Sequence, residues 1–112
     1  MPALQLSSNF MLFVFTTVPN EHEGKVLAEK IIDARLATCV QVLPQMTSFY
    51  VWEGETQREP EHLLLIKTLP PKHDALEKFI TENHSYSVPE IVAISSEYVS
   101  DPYLSWMKEL LG

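Results

Sequence analysis

Apolar side chains occupy FMLFVF at 10–15 without interruption and are followed by TTVPN, which predicts a central strand over 10–17 that Val18-Pro19 ends. Asn20 with Glu23 three residues on is the start signal of a helix. Leu27, Ile31 and Ala34 supply its apolar stripe to about Leu36, with Glu23, Lys30 and Asp33 free to face water. ATCVQVL at 37–43 predicts a second strand, stopped or bulged at Pro44. In MTSFYVWE at 46–53 strict alternation puts Met46, Ser48, Tyr50 and Trp52 on one face and Thr47, Phe49, Val51 and Glu53 on the other, so both faces carry large apolar groups.

GETQREPE at 54–61 is polar enough to predict a hairpin loop, with HLLLIKTL at 62–69 as the returning strand. Pro70-Pro71 then opens a second helix buried through Leu76, Phe79 and Ile80, and Pro89 closes the corner NHSYSVPE after it. EIVAISSEYV at 90–99 predicts the last strand. Asp101 is placed to cap a terminal helix with Pro102 in its first turn and Leu104, Met107 and Leu111 as its stripe. Residues 1–9 carry no period and predict a loose N-terminal arm before a single domain over 10–112.

The fold class is therefore α+β: a ferredoxin-like split βαβ (βαββαβ) antiparallel sheet with two helices on one face plus a short C-terminal helix. That architecture leaves one sheet face uncovered although its strands are apolar on both sides. At roughly 25 cal/mol per Å² of apolar surface, exposure of such a face forfeits many kcal/mol of burial, and self-association is the simplest remedy.

Composition narrows the partners. With 15 acidic against 8 basic side chains and a net charge of -7, the chain is repelled by phosphate backbones and by anionic membrane surfaces, so neither nucleic acid nor membrane is an expected partner. The longest apolar run is too short to cross a bilayer and lacks the flanks of a signal peptide. A cytoplasmic location is the expectation, in keeping with the single cysteine, Cys39. Cys39 reads as a small buried hydrophobe, since no histidine follows it at a diagnostic spacing.

ATCV (37–40), SFYVWEG (48–54), LLIKT (64–68), HSYSVPEI (84–91) and YLSW (103–106), in this order on this topology, resemble the CutA divalent-cation-tolerance family. The resemblance covers nearly the whole chain from Phe10 onward. It implies a compact homotrimer similar in architecture to the P-II signalling proteins, a role in the response to divalent metal ions, and no assigned catalytic activity. The family's proposed copper ligands are a late-strand cysteine and a histidine pair, which fall here on Thr16 and on Asn83 and His84. Losing the thiol and one imidazole removes most of that ligand set, leaving His84 as the metal candidate for weakly held copper or zinc.

Other candidates stand beside plainer readings. His84 at a helix C-terminus also serves as a cap. His73 lies about 16 Å from it along the helix, too far to share a metal, and His22 and His62 read as surface residues. Lys67 interrupts an apolar strand face and needs a carboxylate or hydroxyl; Glu90 and Tyr86 are its expected partners, either as a structural ion pair or as part of a ligand cleft between subunits. Trp52 and Trp106 are cleft candidates whose plainer role is interface packing. The leading expectation is a binding or signalling trimer that takes a small ligand or a divalent metal. The alternatives are an enzyme using Lys67, Tyr86 and Glu90 on a small anionic or metal-chelated substrate, and a structural anchoring trimer.

Overall fold

The structure, a computed structural model, describes residues 9–112. The arm expected over 1–9 lies outside the described residues except for Asn9. The elements run β1 (Leu12–Val18), α1 (Glu21–Asp33), β2 (Cys39–Val42), β3 (Met46–Trp52), β4 (Glu55–Thr68), α2 (His73–Asn83), β5 (Val92–Ser95) and α3 (Asp101–Leu111), with a 3-10 turn at Pro70–Lys72 before α2. All pairings are antiparallel, in the order β2-β4-β1-β5, and β3 pairs with the first half of β4. This is the expected ferredoxin-like sheet, with β2 and β3 acting as one long strand bent at Pro44.

Alternation sets the two faces. Val14, Val18, Leu64 and Ile66 point to one side and pack with Leu27 and Ile31 of α1 and Leu76 and Ile80 of α2. Helix α1 approaches this face closely at Gly24, where an added Cβ would stand 3.1 Å from Val18 Cγ2 and 3.2 Å from Val42 Cγ1. The opposite face displays Phe13, Phe15, Leu63, Leu65, Val92 and Ile94, all half-buried or exposed. It is covered only at one end, where Leu104 and Met107 of α3 pack on Met11, Leu69 and Phe13.

Several boundaries differ from the sequence reading. Helix α1 stops at Asp33 rather than near Leu36: Arg35 turns left-handed (φ 58) while the Arg35 and Leu36 amides donate to Ile32 and Ile31 carbonyls. That is a Schellman closure with arginine where glycine is usual. The cap of α3 is Ser100, whose Oγ accepts from the Tyr103 amide, and Asp101 sits one place inside. The last strand is much shorter than 90–99, because Ser96 turns inward, accepts the Met11 amide and leaves Tyr98 in solvent.

The largest correction is at 54–61, which is not a loop. Glu53 and Gly54 both have positive φ (51 and 80), making a two-residue hairpin turn of the type whose twist matches paired strands. β3 and β4 then stay in register from Trp52↔Glu55 to Met46↔Glu61. This ribbon projects from the body and contributes to principal extents of 48 × 27 × 23 Å. The radius of gyration is 15.3 Å, against about 13 Å for a compact chain of this length.

Candidate functional site

A groove of about 1050 Å³ lies between the root of the ribbon and the corner that follows α2. Strand alternation builds one wall. In β3 and β4, Met46 faces Glu61 and Ser48 faces Glu59, and the groove takes these four together with Tyr50 and Trp52 from the same face. Thr17 and Leu63, a registered pair of β1 and β4, close its inner end. Tyr86, Val88 and Glu90 of the corner form the other wall.

His84 holds that corner in place. Its Nε2 lies 2.7 Å from the Thr17 carbonyl oxygen, and its Nδ1 lies 3.0 Å from the Tyr86 amide nitrogen. An amide can only donate, so Nδ1 is the acceptor and Nε2–H donates to Thr17: the ring is neutral with both nitrogens engaged. The side chain neither caps the last carbonyls of α2 nor offers a lone pair to a metal in this arrangement. Asn83, its neighbour, turns back to donate to the Phe79 carbonyl. Thr16 is fully buried on the core face of β1, away from the groove-lining Thr17. The carried-over ligand positions therefore do not converge, and among the described residues no three His, Cys, Asp or Glu side chains gather to hold a metal.

Tyr86 packs its ring on His84 with centroids 4.8 Å apart and donates its hydroxyl to Glu61 Oε2 at 2.7 Å. Burial pushes the phenol well above its ordinary range, and the hydrogen bond and negative charge of Glu61 push the same way. The phenol thus remains a donor. The groove lining carries three carboxylates, Glu59, Glu61 and Glu90, and no lysine, arginine or histidine.

Three of the five cleft candidates, Trp52, Tyr86 and Glu90, meet in this groove, and two do not. Lys67 is half-buried on the open sheet face, registered with Phe13 and Cys39. Its ammonium makes no hydrogen bond or ion pair within the described residues. Glu61, the partner of Tyr86, stands about 20 Å up the same strand. Within one chain, then, Tyr86 pairs with Glu61 and not with Lys67. Trp106 is on α3, partly exposed and stacked on Tyr103 at 5.5 Å.

Cys39 is half-buried on the open face. His22 is exposed, as expected. His62, expected at the surface, is buried and lies 2.9 Å from the Leu43 carbonyl oxygen, bracing the bend before Pro44. The sequence reading missed Glu59 and Glu61. The signal was present, since Glu59, Glu61 and Leu63 keep the two-residue period of a strand face, but the polar run hid it.

Comparison with known proteins gives one answer. The sequence model of the family described as "CutA1 divalent ion tolerance protein" matches residues 12–110. The chain is 42% identical over 97 residues to the chloroplastic CutA protein of Arabidopsis thaliana, covering 87% of this chain and 53% of that protein. It is 38% identical over 99 residues to the divalent-cation tolerance protein CutA of Thermus thermophilus, covering 88% of this chain and 96% of that one. The chain thus spans about half the length of the Arabidopsis relative and nearly all of the Thermus one. The crystal structure of CutA1 from Oryza sativa superposes with a TM-score of 0.89 at 40% identity, covering 95% of this chain and 97% of that one. Sequence match along almost the full ferredoxin-like domain and agreement in its three-dimensional path place this chain in the CutA1 divalent ion tolerance family.

Proposed function

We propose that the protein serves divalent-cation tolerance as a cytoplasmic homotrimer of P-II-like architecture, with a binding or signalling role, and that the groove between ribbon and corner lies at the boundary between subunits. The observation that carries this reading is the open sheet face with its adjoining ribbon. Phe49, Val51 and Trp52 are 64%, 69% and 64% exposed, and Val92 and Ile94 are 48% and 50% exposed beside Phe13 and Phe15. Trp52 lies on the ribbon face that continues the open sheet face and Phe49 and Val51 on the other side of the ribbon, and exposed apolar surface of this kind marks an association site. Lys67, unpartnered among the described residues, finds the carboxylate of Glu90 or the phenol of Tyr86 across the boundary in this reading. The three groove carboxylates argue against a small anionic substrate, which would meet only negative charge on the lining of one chain.

Light scattering at micromolar concentration tests the assembly: a trimer is expected, and a monomer refutes it. Lys67→Met separates its roles, weakening the trimer if the pair is structural and sparing it while abolishing ligand binding if the site is functional. Calorimetry with copper or zinc at neutral pH is expected to show weak binding only, since His84 has both ring nitrogens engaged. A tight site that survives His84→Ala refutes that expectation.

A further inference from the structure

Residues 84–91 belong to no helix or strand, yet they supply one wall of the groove. Among the described residues, three side-chain hydrogen bonds tie this corner down. His84 Nε2–H donates to the Thr17 carbonyl of β1 at 2.7 Å, the Tyr86 amide donates to His84 Nδ1 at 3.0 Å, and the Tyr86 hydroxyl donates to Glu61 of β4 at 2.7 Å. The His84 ring thus stands between the sheet and the backbone of Tyr86, and it also packs on the Tyr86 ring, with centroids 4.8 Å apart.

The bond from the Tyr86 amide is local: it closes the kind of turn that an asparagine side chain makes with the amide two positions on. The bond to Thr17 spans 67 positions of sequence and fixes where that turn sits on β1. A ring with both nitrogens so engaged has no lone pair left for a metal. The other two positions at which the family resemblance sets metal ligands supply none at the corner either. Thr16 is fully buried on the core face of β1, and the Asn83 amide is turned back to donate to the Phe79 carbonyl. These residues do not fit a copper or zinc centre.

We infer that His84 is a positioning residue, which sets Tyr86 against Glu61 and so fixes the groove wall of Tyr86, Val88 and Glu90, and that this task takes the place of metal ligation at the corner. Through Tyr86 the same ring acts on the root of the ribbon, because Glu61 is registered with Met46, where β3 begins. The wall is held in this way whether a ligand or another copy of the chain fills the groove, so the inference stands apart from the assembly proposed above.

Nitrogen-15 NMR of the imidazole at neutral pH is expected to show a neutral ring with its proton on Nε2, unmoved by stoichiometric zinc. Hydrogen exchange of the Tyr86 amide is expected to quicken about tenfold in His84→Ala. His84→Asn separates the two bonds. Its side-chain oxygen takes the Tyr86 amide but is too short to reach Thr17, so amide protection returns while the tie to β1 does not. Tyr86→Phe reports the positioning itself. It is expected to lower the urea midpoint of the wild-type chain, by loss of the Glu61 bond, and to leave the midpoints of His84→Ala and His84→Asn unchanged, since neither presents Tyr86 to Glu61.

A ring proton on Nδ1 overturns the inference, as does a shift of the ring nitrogens on adding zinc. So does Tyr86 amide exchange indifferent to His84→Ala, or an equal loss from Tyr86→Phe in every background. Where His84→Ala fails to fold, His84→Asn carries the same comparison. Light scattering on the same samples keeps the two readings apart. A monomer with this ring signature refutes only the trimer, and a trimer that takes zinc on His84 refutes only the positioning role.

Discussion

Replacing Thr16 with valine should make this protein more stable. The side chain is fully buried on the core face of β1, directly across from Leu64 of β4, and its Oγ1 has no hydrogen-bond partner among the described residues. A hydroxyl taken from water into such a place without compensation costs about 1–3 kcal/mol. Valine has the same β-branched shape and replaces that hydroxyl with a methyl, so it removes the cost while occupying the same space. The expected gain is therefore about 1–2 kcal/mol per chain, or several degrees in melting temperature for a domain of this size. Thr16→Ser is the matching control: it keeps the hydroxyl and deletes the methyl, leaving a small void, and should destabilise by about 1 kcal/mol. Urea unfolding of the three proteins at one fixed concentration checks this, since association contributes to apparent stability. An unchanged or lowered midpoint for Thr16→Val, at constant m-value, would show that the hydroxyl has a partner such as a buried water and would refute the reasoning.

Gly24→Ala should destabilise by about 1–2 kcal/mol, because the crowding of a new methyl against Val18, Val42 and Leu64 outweighs the roughly 1 kcal/mol that alanine adds to helix propensity; thermal unfolding decides the sign. Arg35→Gly should stabilise by up to about 1 kcal/mol, since Arg35 holds the left-handed position that closes α1, and a lower denaturation midpoint would contradict it. Tyr86 contributes to an alkaline limb of the stability curve. Its folded phenol ionises above its unfolded value of 10.0, so from about pH 10 upward the unfolded chain binds fewer protons than the folded one and stability falls as pH rises. Tyr86→Phe should flatten that limb, and unfolding curves followed from neutral to alkaline pH are the check.

Most of the fold was legible because burial is one-sided within each element. Leu27 and Ile31 of α1, Leu76 and Ile80 of α2, and Leu104 and Met107 of α3 all lie where helical spacing put them. The Asn20 cap was equally plain, its Oδ1 accepting from the Glu23 amide at 2.9 Å. Legibility failed where burial was absent. Residues 55–61 form strand without a core beneath them, so their alternation joins one polar type to another and reads as loop. Their turn uses Glu-Gly, in which glutamate is an uncommon residue at positive φ, rather than the Asn-Gly or Asp-Gly that announces a tight hairpin. The polar composition misled for a physical reason: a ribbon that leaves the body has no apolar face of its own chain to match.

The same cause explains what was seen and missed at the site. Tyr86 and Glu90 stood out because the corner breaks a helix and collects unlike chemistry in a short span. Glu59 and Glu61 did not, because carboxylates in a polar run are ordinary. Their importance comes from register, which brings Glu61 beside Met46 and within 2.7 Å of Tyr86. Lys67 shows the converse. The sequence singled it out correctly as an ammonium on an apolar strand face, but a partner for it could be assigned only from proximity in three dimensions. The phenol of the expected pair is given to Glu61, about 20 Å along the strand from Lys67. Among the described residues Lys67 is unpaired, flanked by Phe13, Cys39 and Leu65 beside a face with no helix over most of its length, where an ammonium is costly to desolvate alone. If the proposed assembly closes that face against another copy, the acidic groove and this ammonium supply opposite halves of one interaction. The Glu90→Gln and Lys67→Met substitutions should then weaken assembly by no more together than either does alone. Additive losses in a double-mutant cycle would place the two residues in separate environments.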